Sequence, residues 1–107
     1  MAVIQLNPGN HVLTVPITML PAGQAGQAYV YLSSDAAGNA IVATGSTTSF
    51  SSTGSAQNVA LPVSVPSGGG SYYAWVVVYE NGIAIGVFPQ TNTVTVGQVS
   101  VGQGTWN

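Results

Sequence analysis

Apolar and polar residues alternate with a period of two along most of the chain, and no stretch repeats its apolar positions at helical spacing. Residues 11–19 carry Val12, Leu13, Val15, Ile17 and Met19, and residues 57–65 carry Val59, Leu61, Val63 and Val65. Residues 27–33 read as a strand with Tyr29 and Tyr31 on one face and Val30 and Leu32 on the other. Shorter candidates lie at 2–6, 40–44, 83–88 and 91–96, with a last alternating piece around Val99 and Val101. The Ser/Thr tract 46–55 around Phe50 fits a weak edge strand or a loop. The run 71–79 is almost continuously apolar, as expected of a central strand covered on both faces. Turn residues separate these segments at 7–10, 34–39 and 67–70. Asn81-Gly82, flanked by apolar runs, predicts a type I′ turn that folds 72–80 onto 83–88. Pro16 and Pro62 lack an amide hydrogen, which predicts an edge position or a bulge for the strand of Pro16 and an edge position for that of Pro62. Seven or eight short strands with regularly spaced turns predict an all-β antiparallel sandwich. Its 107 residues suffice for one domain, with a core at about 11–96 and surplus segments at 1–7 and 97–107.

The last third of the chain resembles a fibronectin type III or related immunoglobulin-like domain. The residues that carry the likeness are Ser71-Tyr72-Tyr73-Ala74-Trp75-Val76-Val77-Val78, then Glu80-Asn81-Gly82, then Pro89-Gln90-Thr91-Asn92-Thr93-Val94-Thr95-Val96. Ala28-Tyr29-Val30-Tyr31-Leu32-Ser33 is similar to the third strand of such domains. Two features depart from the pattern: Trp75 comes later than the usual tryptophan, and there is no cysteine pair. The resemblance implies a sandwich of the sort strung along surface, adhesive and virion proteins, and it implies no activity.

Charge changes the picture most. The chain has no lysine and no arginine; its side-chain carboxylates are Asp35 and Glu80, and its one imidazole is His11. Stability must therefore come from packing and hydrogen bonds. Nucleic acid is a poor partner, because phosphate binding relies on basic side chains that displace counterions. Anionic membrane surfaces are excluded as electrostatic partners for the same reason, and no apolar run is long enough for a membrane helix. A net charge of −2 gives little repulsion between copies and favours association. The absence of trypsin-type cleavage sites suits an extracellular life. Met1-Ala2-Val3-Ile4-Gln5 lacks the basic and apolar regions of a signal peptide, so either the chain begins at a cut or it is not secreted by that route; a native Met1 favours the alternative of a virion protein made inside a cell.

Catalytic chemistry has few candidates. Asp35 and Glu80 fall in predicted turns, His11 begins a strand, and no Gly-x-Ser-x-Gly elbow accompanies the many serines. One histidine and two separated acids do not make a transition-metal site, so no cofactor or metal is expected. Aromatic side chains offer a binding surface instead: Tyr29, Tyr31, Tyr73 and Tyr79 are candidates for stacking on a glycan, against core packing as the simpler use. The terminal segments offer another. Val3, Ile4 and Leu6 at one end, and Val99, Val101 and Trp106 at the other, are candidates for strand addition to a neighbouring subunit. A Thr-rich face (Thr47, Thr48, Thr91, Thr93, Thr95) is a lesser candidate for binding ice or mineral. These readings predict a non-catalytic structural subunit that self-assembles into an extracellular filament, surface array or virion component. The alternative is an immunoglobulin-like module of a larger adhesin or a carbohydrate-binding module.

Overall fold

The computed structural model describes residues 4–90 and 94–106. It is an all-β sandwich of two antiparallel sheets. Its strands are β1 (Ile4–Leu6), β2 (Gly9–Met19), β3 (Ala25–Ser33), β4 (Ile41–Thr44), β5 (Thr48–Ser51), β6 (Gln57–Val65), β7 (Gly70–Glu80), β8 (Ile83–Pro89), β9 (Val94–Val96), β10 (Val99–Val101) and β11 (Thr105–Trp106). These eleven segments exceed the seven or eight expected because several share one side of a longer strand.

In the first sheet β7 and β3 lie side by side at the centre. The outer side of β7 is covered by β1 at one end and β8 along the rest. The outer side of β3 is covered by β4 and β5 in the same manner. The second sheet runs β6, β2, then β10 and β11 end to end, then β9. The alternation in the sequence decides which side chains meet between the sheets. Leu13, Val15, Ile17 and Met19 of β2 and Leu61 of β6 face Val30, Leu32, Val76, Val78 and Phe88 of the first sheet, all fully buried. The tract around Phe50 is the edge strand β5, and the Phe50 ring packs inward on the core.

Asn81 (φ 52°) and Gly82 (φ 82°) form the two-residue turn that their sequence predicts, closing β7 onto β8. Two residues beyond the turn the register slips by one, so that Val78 pairs with Gly86 but Tyr79 with Ala84. Ile85 is the extra, bulged residue.

The prolines divide. Pro62 lies on β6, which among the described residues pairs only with β2, and so occupies an edge strand as expected. Pro16 does not: β2 is paired on both sides, with β6 and with β10 and β11. The sheet accommodates it by a gap. The Pro16 carbonyl accepts the Gly102 N–H (2.9 Å), so its nitrogen also points toward the β10/β11 side. That is where Gly102-Gln103-Gly104 interrupts the ladder between those two strands. The final segment is therefore part of the sheet and not surplus to it: β10 pairs with both β2 and β9, and β11 pairs with β2.

Candidate functional site

Strand pairing gathers Tyr29, Tyr31, Tyr73, Trp75 and Tyr79 on the outer face of the first sheet. Tyr31 stands opposite Trp75, Ser33 opposite Tyr73, Gln27 opposite Tyr79, and Tyr29 opposite Val77. All four tyrosines proposed for glycan stacking share this face. Tyr31 and Trp75 are stacked, with centroids 6.3 Å apart and planes 6° from parallel. Tyr29, Tyr73 and Tyr79 are half-buried, whereas Tyr31 is 9 % exposed and Val77 beside it 7 %. Desolvation raises the phenol of Tyr29 above its usual range, with a further rise from neighbouring Tyr79. Desolvation raises Tyr31 as well, followed by the effects of Tyr29 and Asp35.

The loop between β3 and β4 covers the Tyr31–Trp75 pair. Gly38 (φ 78°) brings its backbone so close that a Cβ there would lie 2.7 Å from Trp75 Cε2 and 2.9 Å from Tyr31 Oη. The Tyr31 hydroxyl donates to the Gly38 carbonyl at 3.3 Å. Asp35 holds the loop in this shape. Its Oδ1 accepts from Ser33 Oγ (2.5 Å), Asn39 N (2.8 Å) and Ala40 N (3.1 Å), and these bonds hold its carboxyl below the usual range, Ser33 first. Trp75 Nε1 lies under this cover without a hydrogen-bond partner among the described residues. The centre of the aromatic face is thus packed at Tyr31 and Val77, while Tyr29, Tyr73, Tyr79 and part of Trp75 remain half-exposed around it.

The two lateral sides of the sandwich differ. On one side β5 and β6 are laced together by side chains: Thr48 Oγ1 donates to Ala60 O (2.7 Å) and Gln57 Nε2 to Ser51 O (3.2 Å). On the other side, among the described residues, β8 pairs only with β7, and β9 only with β10. Here Ile83 is 69 % exposed, Val87 47 % and Val96 39 %. Val96 shares the side of its partner Val99 and lies over Gly86, so it sits at the mouth of the seam between the sheets. Ile41 and Val42 of β4 are exposed as well, on the opposite edge of the first sheet from β8.

The proposed strand-addition residues fall elsewhere than an open interface. Leu6, Val99 and Val101 are buried in the chain's own core, and Trp106 packs against it from β11. Ile4 belongs to β1, which pairs with β7 of the same chain; Val3 lies outside the described residues. The reason is the long central strand: eleven residues of β2 need cover on their second side, and the final segment supplies it. Of the Thr-rich face, Thr91 and Thr93 lie outside the described residues and Thr48 is bonded to β6.

The ionisable groups are dispersed. Glu80 pairs with Gly26 at one end of β3, and Asp35 follows Ser33 at the other. Seven residues of extended strand separate those ends, roughly 23 Å at ~3.3 Å per residue, well beyond the separation of a glycosidase carboxylate pair. His11 Nε2 donates to the Asn7 carbonyl (2.8 Å) and stands on β2, in the other sheet. No cluster of three or more His, Cys, Asp or Glu occurs among the described residues. Sequence reasoning missed Gln90, whose buried side chain spans the gap in the second sheet, and the exposed edge formed by Ile83 and Val87. A polar residue after a proline carries no signal of burial, and Ile83 and Val87 read as ordinary strand residues. No family model matches the chain, and neither a curated protein nor a solved structure matches it significantly.

Proposed function

We propose that this chain is a non-catalytic structural subunit that associates with copies of itself into an extended assembly at a cell surface, outside the cell or in a virion. The observation that carries this reading is a pair of open aliphatic edges on one sheet, in a chain without a single lysine or arginine. Ile83 and Val87 line one edge of the first sheet, and Ile41 and Val42 the other. Soluble monomers defend sheet edges with charged residues, lysine above all. This chain has no lysine to place there, its β8 edge is interrupted only by the Ile85 bulge and Pro89, and a net charge of −2 does little to keep copies apart. Contacts at two opposite edges allow association to continue from subunit to subunit. Negative-stain microscopy of concentrated protein tests the reading: filaments or lattices are expected, and a field of isolated particles at every concentration would refute it.

The sandwich reads as immunoglobulin-like. The pairing of β2 with β6 in one sheet and of β3 with β7 and β7 with β8 in the other supports this, since it repeats the B–E and C–F–G neighbours of that architecture. A second reading, glycan binding, is favoured by the rim of half-buried Tyr29, Tyr73 and Tyr79. Glycan-array binding abolished by Tyr73→Ala would support it; an array with no signal would remove it.

A further inference from the structure

We infer that the β8 edge is where two copies of this chain meet, their β8 strands pairing antiparallel across a two-fold axis; this rests on the self-association proposed above. Among the described residues β8 has no backbone partner on its outer side. The Gln90 N–H bonds the Ala74 carbonyl on the β7 side, so by strand alternation Val87 directs its own N–H and C=O outward. Pro89 has the same outward orientation but no hydrogen to give, which ends the pairing at that point.

The chemistry of the strip identifies its partner. Ile83–Pro89 and Val94–Val96 contain no charged residue, so nothing on them selects an acidic or basic protein. An identical neutral strand does complement them. In a two-fold antiparallel pair each residue i of one copy faces j of the other and j faces i, so an edge strand is its own partner. Val87 and Ile83 then gain cross-strand neighbours, and Val96 at the seam is shielded by the approaching copy. The opposite side of the sandwich offers less. Its β5 and β6 are already tied together through Thr48 and Gln57, which leaves only short β4 open.

The test uses the full chain and two variants, Val87→Lys and Ile41→Lys, in sedimentation equilibrium, with far-UV circular dichroism and thermal melting to verify folding. Val87 and Ile41 are exposed, so each lysine reaches water in the folded monomer. A Val87→Lys pair sets ammonium groups near each other across the axis and should raise the dimer dissociation constant about a hundredfold. Ile41→Lys should leave the dimer intact while preventing larger species. The Val87 amide should also become protected from hydrogen exchange as wild-type concentration rises. Association of Val87→Lys as strong as that of wild type would overturn the β8 assignment while leaving self-association standing. Monomers from both lysine variants would overturn the two-fold pairing in favour of β8 joining β4. Wild-type protein that stays monomeric throughout would instead remove the self-association on which the assignment depends.

Discussion

Replacing Gln90 with alanine should destabilise the fold far beyond what a glutamine substitution ordinarily does. Gln90 is 4 % exposed and follows β8, where its N–H bonds the Ala74 carbonyl of β7 at 3.1 Å. Its side chain reaches into the interruption of the second sheet. There Nε2 donates to Gly102 O at 3.2 Å, and Oε1 accepts from Gly104 N at 2.5 Å. One amide thus satisfies two backbone groups that the gap opposite Pro16 would otherwise leave unpaired. Alanine orphans both, at about 1–2 kcal/mol each, and removes buried methylene packing worth about 1 kcal/mol. The expected loss is roughly 3–5 kcal/mol, a large fraction of the ~5–15 kcal/mol that holds a domain together. Urea denaturation measures it. With a slope of about 1–3 kcal/mol per molar, the midpoint should fall by about 1 M or more. Gln90→Met separates the two contributions, since it preserves volume and loses both hydrogen bonds; it should retain about 1 kcal/mol of the difference. Exposed Gln103→Ala is the control and should stay within about 0.5 kcal/mol of wild type. A Gln90→Met protein as stable as wild type would show that the two hydrogen bonds contribute nothing.

Gly38→Ala should cost about 2–5 kcal/mol, combining positive φ with overpacking against Trp75 and Tyr31; near-UV circular dichroism should report the displaced indole. Gly23→Ala has a similar φ and an open Cβ position, so it should lose only about 1–2 kcal/mol; equal losses in the two variants would deny that the loop packs on the aromatic pair. Asp35 has a folded-state pKa below its ordinary 3.8, so its contribution is present above 3.8 and is lost as pH falls below it through the lowered folded value. Acid melts should show this loss in wild type and its absence in Asp35→Asn. Tyr29 and Tyr31 have folded-state pKa values above their ordinary 10.0, so their contribution is present below pH 10 and is lost as pH rises through the raised values. Phenolate absorbance of the native protein should appear late, and Tyr29→Phe should reduce the alkaline loss of stability.

Local pairing was the part most legible in the sequence. Period-two alternation identified the buried faces of β2, β3 and β6, and Asn81-Gly82 identified the β7–β8 turn, because side-chain direction and positive φ are properties of a few adjacent residues. The same reasoning put Tyr29 and Tyr31 on one face of β3, and the register with β7 then brought Tyr73, Trp75 and Tyr79 to it. What failed were inferences that depend on distant partners. Pro16 predicts an edge or a bulge, yet the strand is central and keeps an unbroken register with β6, because the partner on its other side is interrupted by Gly102-Gln103-Gly104 where an N–H is missing; nothing near Pro16 in the chain reveals this. Val99 and Val101 looked spare because the strand count seemed complete without them, but the second side of β2 had not been filled. The open edge at Ile83 and Val87 was illegible for a similar reason, since alternation reports which face a residue lies on and not whether a neighbouring strand follows.

Self-association is decided by sedimentation velocity of the wild-type chain over a wide concentration series, at low and high salt. Association through neutral aliphatic edges predicts a sedimentation coefficient that climbs with concentration and is not weakened by salt, because no charge pair holds the copies together. A single monomeric boundary at every concentration, or association that salt abolishes, would contradict it.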